Sequence, residues 1–438
     1  MKRMYLFVLA ISIAFALQAQ NKIKFEEYTL DNGMHVILHQ DKTTPIVAVT
    51  VLYHVGSKNE DPSRTGFAHF FEHLLFEGTE NIARGEFDTY VVSAGGTLNA
   101  NTSQDRTFYY EILPSNELEL GLWLESERLL HAKILQEGVD TQREVVKEEK
   151  RQRVDNQPYA TFATEMFVRQ FTKHPYNWVP IGSMDHLNAA TLEEFMAFYK
   201  KFYVPNNATL SIAGDIDIAQ TKILVEKYFG DIPRGADIVR PNIVEPPLTR
   251  EIIDTIYDNI QLPAVFIGYR MPGESDPDSY ALQMVTSVLS GGGSSRLNQR
   301  LVEKDKSALQ VFAFPYALED AGIFITLGIA NMGYDPAAMA QAIDEEVMRI
   351  KNELITDEEF QKIQNQVEND FVQSNSSMAG IAESLANYHV YFGDANLINT
   401  EIDRYRKVSK EDIKRVANKY LDANNRVVLY YLPKQQAN

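Results

Sequence analysis

Cysteine is absent from all 438 residues. This excludes thiol nucleophiles, thiolate metal sites, disulfides and a lipid anchor on a terminal cysteine. Any metal site in this chain must therefore draw on His, Asp or Glu. Basic charge is scarce, with 42 Lys and Arg against 60 Asp and Glu and a formal net charge of −18. Nucleic acid is a poor partner for such a chain, because phosphate binding needs a basic surface. Anionic lipid is excluded on the same ground. No apolar run after residue 20 reaches 18 residues, too short for an internal span. What is present is 45% hydrophobic residues, spread over a chain long enough for about two to three domains with sizeable cores.

The first 19 residues stand apart. Lys2 and Arg3 precede an apolar stretch from Met4 to Leu17, and small residues follow, with Ala19 a suitable last residue before cleavage. Residues 1–19 read as a secretory signal peptide. Export is expected, and the short, bacterial-type signal points to a periplasm.

A proline-rich stretch, residues 233–250, contains Pro233, Pro241, Pro246 and Pro247 and reads as a linker. It separates residues 22–232 from residues 251–435, and the two segments share a pattern. TLEEFMAFYKKFYVPNNATLSIAGD begins at Thr191, and SKEDIKRVANKYLDANNRVVLYYLP begins at Ser409. Each opens with a hydroxyl residue followed by acids, a helix N-cap signal. Each continues with a helical apolar period, an Asn-Asn pair and a strand-like run. The starts also agree. IVAVTVLY (46–53) precedes Gly56, Asp61-Pro62 and a helix, as AVFIGY (264–269) precedes Gly273, Asp276-Pro277 and a helix. The chain reads as an internal duplication. Strands mixed with longer helices predict two homologous α+β domains, each a mainly antiparallel sheet with packed helices.

TGFAHFFEHLLFEGT, residues 65–79, carries His69, Glu72 and His73 in the order H-x-x-E-H. On a helix the two histidines lie one turn apart on one face, where two neutral imidazoles can share a metal ion. Glu72, three residues from His69, points toward the same place and can take a proton from water. Phe70, Phe71, Leu74, Leu75 and Phe76 predict that this helix is buried. A catalytic zinc usually has three protein ligands and an open position, so a third must come from elsewhere. The helix VDTQREVVKEEKRQRV, residues 139–154, offers Glu144, Glu148 and Glu149. Spacing alone does not choose among them. Glu144 and Glu148 share a face, so Glu144 could support a ligand from behind.

HFFEHLLFEGT, followed about 75 residues later by EVVKEE, resembles the M16 metallopeptidases of the pitrilysin and insulinase type. GGTLNANTSQDRTFYY (95–110) resembles the family's substrate-binding edge strand. HPY (174–176), PIG (180–182) and VPNNATLSIAGD (204–215) are further family-like stretches. The resemblance covers essentially the whole chain after the signal peptide. It implies two homologous α+β domains forming half of a clam-shell chamber, with zinc, one ion per chain, as cofactor. It implies His69 and His73 as ligands and Glu72 as general base. Aligning V-x-x-E with the family pattern puts the third ligand at Glu148 rather than Glu149. Leu98, Asn99 and Ala100 fall on the edge strand, where an extended peptide would pair by strand addition.

The second half lacks this set: the positions matching His69, Glu72 and His73 are about Met284, Ser287 and Val288. His35, His39, His54, His131, His174, His186 and His389 are scattered and read as structural or surface residues. The Gly291–Ser295 run reads as a loop, since no G-K-[ST] follows. In the family an Arg and a Tyr seven residues apart follow an S-S-R-L stretch and reach the active site of the opposing half. After Ser294-Ser295-Arg296-Leu297 those places hold Val302 and Leu309, and neither donates a hydrogen bond. The expected partner is a non-identical subunit of this family that supplies the Arg/Tyr pair. The expected function is zinc-dependent endopeptidase cleavage of peptides or unfolded segments inside a closed chamber, with this chain as the zinc-bearing subunit of a heterodimer. The alternative is a non-catalytic peptide-binding or scaffold subunit of the same fold.

Overall fold

Ile46–Tyr53 is rich in β-branched residues, which suit a pleated, buried surface, and it forms a strand near the middle of the first sheet. The computed structural model describes residues 22–240 and 242–434, so the expected signal peptide lies outside the described residues. The first sheet comprises β1 (Glu26–Thr29), β2 (His35–Gln40), β3 (Ile46–Tyr53), β4 (Thr97–Thr102), β5 (Thr107–Pro114) and β6 (Ala208–Gly214). Its order is β1-β2-β6-β3-β5-β4. The second comprises β7 (Ile252–Asp258), β8 (Ala264–Pro272), β9 (Ala308–Tyr316), β10 (Ala321–Ala330) and β11 (Arg426–Pro433), in the order β7-β11-β8-β10-β9.

Apart from β1, which adds a sixth strand at one edge of the first sheet, the two sheets repeat each other. β2 pairs parallel with β6 as β7 does with β11. The remaining partners, β3, β5 and β4 in one and β8, β10 and β9 in the other, follow in antiparallel array. The two helix starts matched by sequence agree as well. Thr191 and Ser409 both cap their helices, Leu192–Phe202 and Lys410–Tyr420, in a reciprocal capping box with Glu194 and Asp412. The fold is α+β and duplicated, as expected.

Each sheet has one face on its own half's helices and the other on a helix from the opposite half. Val36 and Leu38 of β2 point into the first-half core. Ile37 between them joins Ala48 and Ala213 against Ile381, Ala382 and Leu385 of the helix Met378–Phe392. Conversely, Met166 and Phe167 of the helix Phe162–Gln170 pack on Phe266, Ile323, Val427 and Leu429 of the second sheet. Burial on both faces explains why β3 reads as a continuous apolar run rather than an alternation.

Polar contacts close the same joint. Lys58 Nζ lies 2.9 Å from Asp105 and 3.0 Å from Asp320, and His54 Nε2 lies 2.8 Å from Glu319. Tyr176 donates to Asp105 at 2.6 Å and accepts from the Asp320 N–H at 3.1 Å. Residues 233–240 and 242–250 carry neither helix nor strand. They are nonetheless fastened: Glu245 accepts from the N–H groups of Thr172, Lys173 and His174. No helix among the described residues is long and apolar enough to cross a membrane.

Candidate metal centre

The helix Phe67–Leu74 carries the histidines. Phe67, Phe70 and Phe71 bury one side of it against Phe195 and Phe198. Its entry is tight. Gly66 has φ +100° and Gly182 φ +63°, and a Cβ on Gly182 would stand 2.3 Å from Gly66 Cα. Only glycine fits both the conformation and the approach. Glu60 accepts from the N–H groups of Gly66 and Ala68, each at 2.8 Å, and so satisfies donors left free in the first turn. The exit is fixed from below, where buried Arg128 donates to Leu75 O at 2.8 Å.

On this scaffold His69 and His73 aim their Nε2 atoms at one oxygen, Oε2 of Glu149, at 3.4 and 3.1 Å. The imidazoles stand edge to face, with centroids 4.9 Å apart. One ligand atom from each of the three lies within 4.8 Å of the others. A tetrahedral zinc with bonds of about 2.0–2.1 Å holds its ligand atoms about 3.3–3.4 Å apart. The two nitrogen–oxygen distances match that edge length, and two imidazoles with one carboxylate form the donor set of a catalytic zinc. The residues present therefore fit the ion. Hydrogen bonds from both histidines hold the Glu149 carboxyl well below the usual carboxylate range. Its other oxygen lies 2.7 Å from Arg153.

The expected third ligand is corrected. Glu148 is half exposed, paired with Arg151 and accepting from Gln152 at 2.9 Å. The reason is helical phase. On the helix Gln136–Lys150 the buried side is marked by Val139 and Val146. Glu149, one turn beyond Val146, continues that stripe, whereas Glu148 lies about 100° away. Glu144, expected to support a ligand, is exposed on the wall of the same cleft and pairs with Lys147 at 2.8 Å rather than with a histidine. The apolar stripe was the signal in the sequence that pointed to Glu149.

Glu72 lies beside the histidines and lines, with His73, Asn99, Ala100 and Glu149, a cleft of about 910 Å³. Thr102 Oγ1 donates to Glu72 Oε2 at 2.6 Å, a contact the sequence did not suggest. Thr102 ends β4, the outermost strand of the first sheet, which carries Leu98, Asn99 and Ala100. Leu98 and Ala100 are partly buried against the core, and Asn99 is exposed, its side-chain oxygen accepting from Ala100 N–H at 2.9 Å.

Among the described residues the second half shows no counterpart. On the helix Asp278–Ser290, Met284 and Val288 are buried in the core and Ser287 is partly buried. Val302 packs against the same core, while Leu309 on the outermost strand β9 is 52% exposed.

A duplicated α+β chain that brings two histidines and a glutamate together beside a second glutamate on its first half has the features of a class, the two-domain metallopeptidases. Residues 35–176 match the family model for insulinase, peptidase family M16, and residues 189–367 match the model for the M16 inactive domain. A zinc protease PqqE of Helicobacter pylori is 30% identical over 435 residues, 97% of each chain. The zinc protease YmxG of Bacillus subtilis, itself uncharacterised, is 23% identical over 395 residues, 90% of this chain and 94% of its own. A crystal structure of a protease from Helicobacter pylori superposes with a TM-score of 0.90 at 30% identity, covering 94% of this chain and 100% of the other. Pitrilysin superposes with a TM-score of 0.78 at 18% identity, covering 96% of this chain but 46% of that one. The chain belongs to the M16 peptidase family.

Proposed function

We propose that this chain is a zinc endopeptidase acting on extended peptides or unfolded segments, exported to the periplasm, and that it is the zinc-bearing subunit of a heterodimer. The observation that carries the reading is the convergence of His69, His73 and Glu149 next to Glu72. When bound, zinc supplies Lewis acidity, polarising a peptide carbonyl and acidifying water. His69, His73 and Glu149 would hold it. Glu72 takes the proton from the attacking water and returns it to the leaving amine. Thr102 occupies one Glu72 oxygen and leaves the other for this proton. The unpartnered outer edge of β4 offers main-chain groups to an extended peptide, so binding depends little on side-chain identity. Glu72→Gln is expected to retain zinc and lose hydrolysis of a fluorogenic peptide; unchanged turnover would refute the role of Glu72.

Val302 and Leu309 leave this chain without the Arg/Tyr pair, and a missing oxyanion donor is worth about 10²–10³ in rate. This supports a partner subunit that supplies both. The same two residues favour the second reading, a peptide-binding or scaffold subunit without catalysis of its own. Full peptidase activity of the purified chain alone would overturn the heterodimer, and zinc binding with no hydrolysis beside any M16 partner would favour the second reading.

A further inference from the structure

A second group of metal-ligating side chains sits at the joint between the halves and shares no residue with the first. His35 on β2 and His389 on the helix Met378–Phe392 stack face to face, with centroids 3.5 Å apart and planes at 0°. Glu27 on β1 reaches the pair, its Oε2 3.0 Å from His35 Nε2. One ligand atom from each of the three lies within 4.8 Å of the other two.

Packing alone does not account for this arrangement. Aromatic rings favour offset or edge-to-face contact over a direct sandwich. The hydrogen bonds of the pair belong to His35, which meets Glu27 and, at 3.3 Å, Thr29 Oγ1. The His389 ring has none among the described residues. Both rings line a cavity of about 380 Å³, so solutes reach them. Glu27 is 42% exposed.

We propose that Glu27, His35 and His389 form a second transition-metal site, for zinc or a similar borderline ion such as nickel, bridging the first sheet and the helix from the second half. Two imidazoles and one carboxylate suit such ions. Calcium and magnesium, which take oxygen ligands, are not accommodated. Binding draws the three ligand atoms in to about 3.3–3.4 Å from one another and turns the rings out of their parallel stack, a motion of side chains. The ion then ties β1 and β2 to the crossing helix, so its effect is on the cohesion of the two halves. The site does not depend on the catalytic reading, and the expected count rises from one zinc per chain to two.

The test uses the full chain carrying His69→Asn and His73→Asn, which removes the first centre. After equilibration with micromolar zinc chloride and gel filtration, elemental analysis is expected to find one zinc per chain. Zinc and nickel chlorides are each expected to raise Tm. Adding His389→Asn should abolish both signals, and Glu27→Gln should weaken binding about tenfold or more. A folded double variant that retains no zinc and shows no Tm response overturns the site, as does a response that survives His389→Asn. If the double variant fails to fold, the wild-type chain decides: two equivalents falling to one in His389→Asn support the site, and one equivalent unchanged by that substitution overturns it.

Discussion

Arg128→Met should be the most damaging single substitution outside the metal centre. The Arg128 guanidinium is fully buried, 3.1 Å from Glu125 and 3.4 Å from Glu111, both of which are also fully buried. Three rings surround it, those of Phe76, Phe87 and Tyr109 at 4.5, 4.4 and 4.1 Å. Burial, then the neighbouring Glu125 charge, pushes the Glu111 carboxyl well above the usual range. The cluster therefore sets one cation between two buried acids. Methionine fills much of the volume but leaves both buried acids without their cation. Breaking a buried pair in this way costs about 3–5 kcal/mol. At about 2–4 °C per kcal/mol for a domain of this size, Tm should fall by about 6–20 °C. Adding Glu125→Gln removes one of the two acids left without a partner and should recover much of the loss. Thermal melts and urea titrations of both variants check this. A single variant within about 1 kcal/mol of wild type, or a double variant no better than the single, would refute the ion-pair argument. Because Arg128 also holds Leu75 O, zinc retention should drop alongside stability in the single variant.

Three further outcomes are expected. Glu149→Gln should lose one equivalent of zinc in elemental analysis while Glu148→Gln keeps it, since of the two only Glu149 reaches the histidines; equal retention would count against the assignment. Gly182→Ala should destabilise by more than about 1 kcal/mol, from the positive φ alone, and loosen the histidine helix, read as a lower Tm and faster zinc loss to a chelator. Burial, with Asp105 and Glu319 nearby, raises the Glu274 carboxyl to about 7. Between the ordinary value near 4.5 and 7 the folded chain holds a proton the unfolded chain has released. Stability should therefore fall as pH rises through that window, by at most about 3 kcal/mol, and Glu274→Gln should flatten the profile.

The duplication was legible because it rests on local signals repeated at one spacing: the caps at Thr191 and Ser409, the Asn pairs and the closing strands. His69, Glu72 and His73 were legible because one short helix carries all three. Glu149 was missed because the V-x-x-E alignment with the family pattern selected Glu148, and the Val139–Val146 stripe that sets the helical phase was not weighed against it. Thr102 and the crossing helices were not legible at all. Each depends on a contact between segments far apart in the chain, and no local pattern encodes which sheet a helix such as Met378–Phe392 will cover.

The exchange of helices between the halves bears on the origin of the molecule. A single half on its own would bare one full sheet face, including Ile37, Ala48 and Ala213 in the first and Phe266, Ile323 and Leu429 in the second. In this chain each half covers that face with a helix lent by the other. The arrangement is that of a domain-swapped dimer with two-fold symmetry, its two copies joined here by the segment at 233–250. Fusion released each copy from the need to be identical, and the metal centre could then be kept on one side alone.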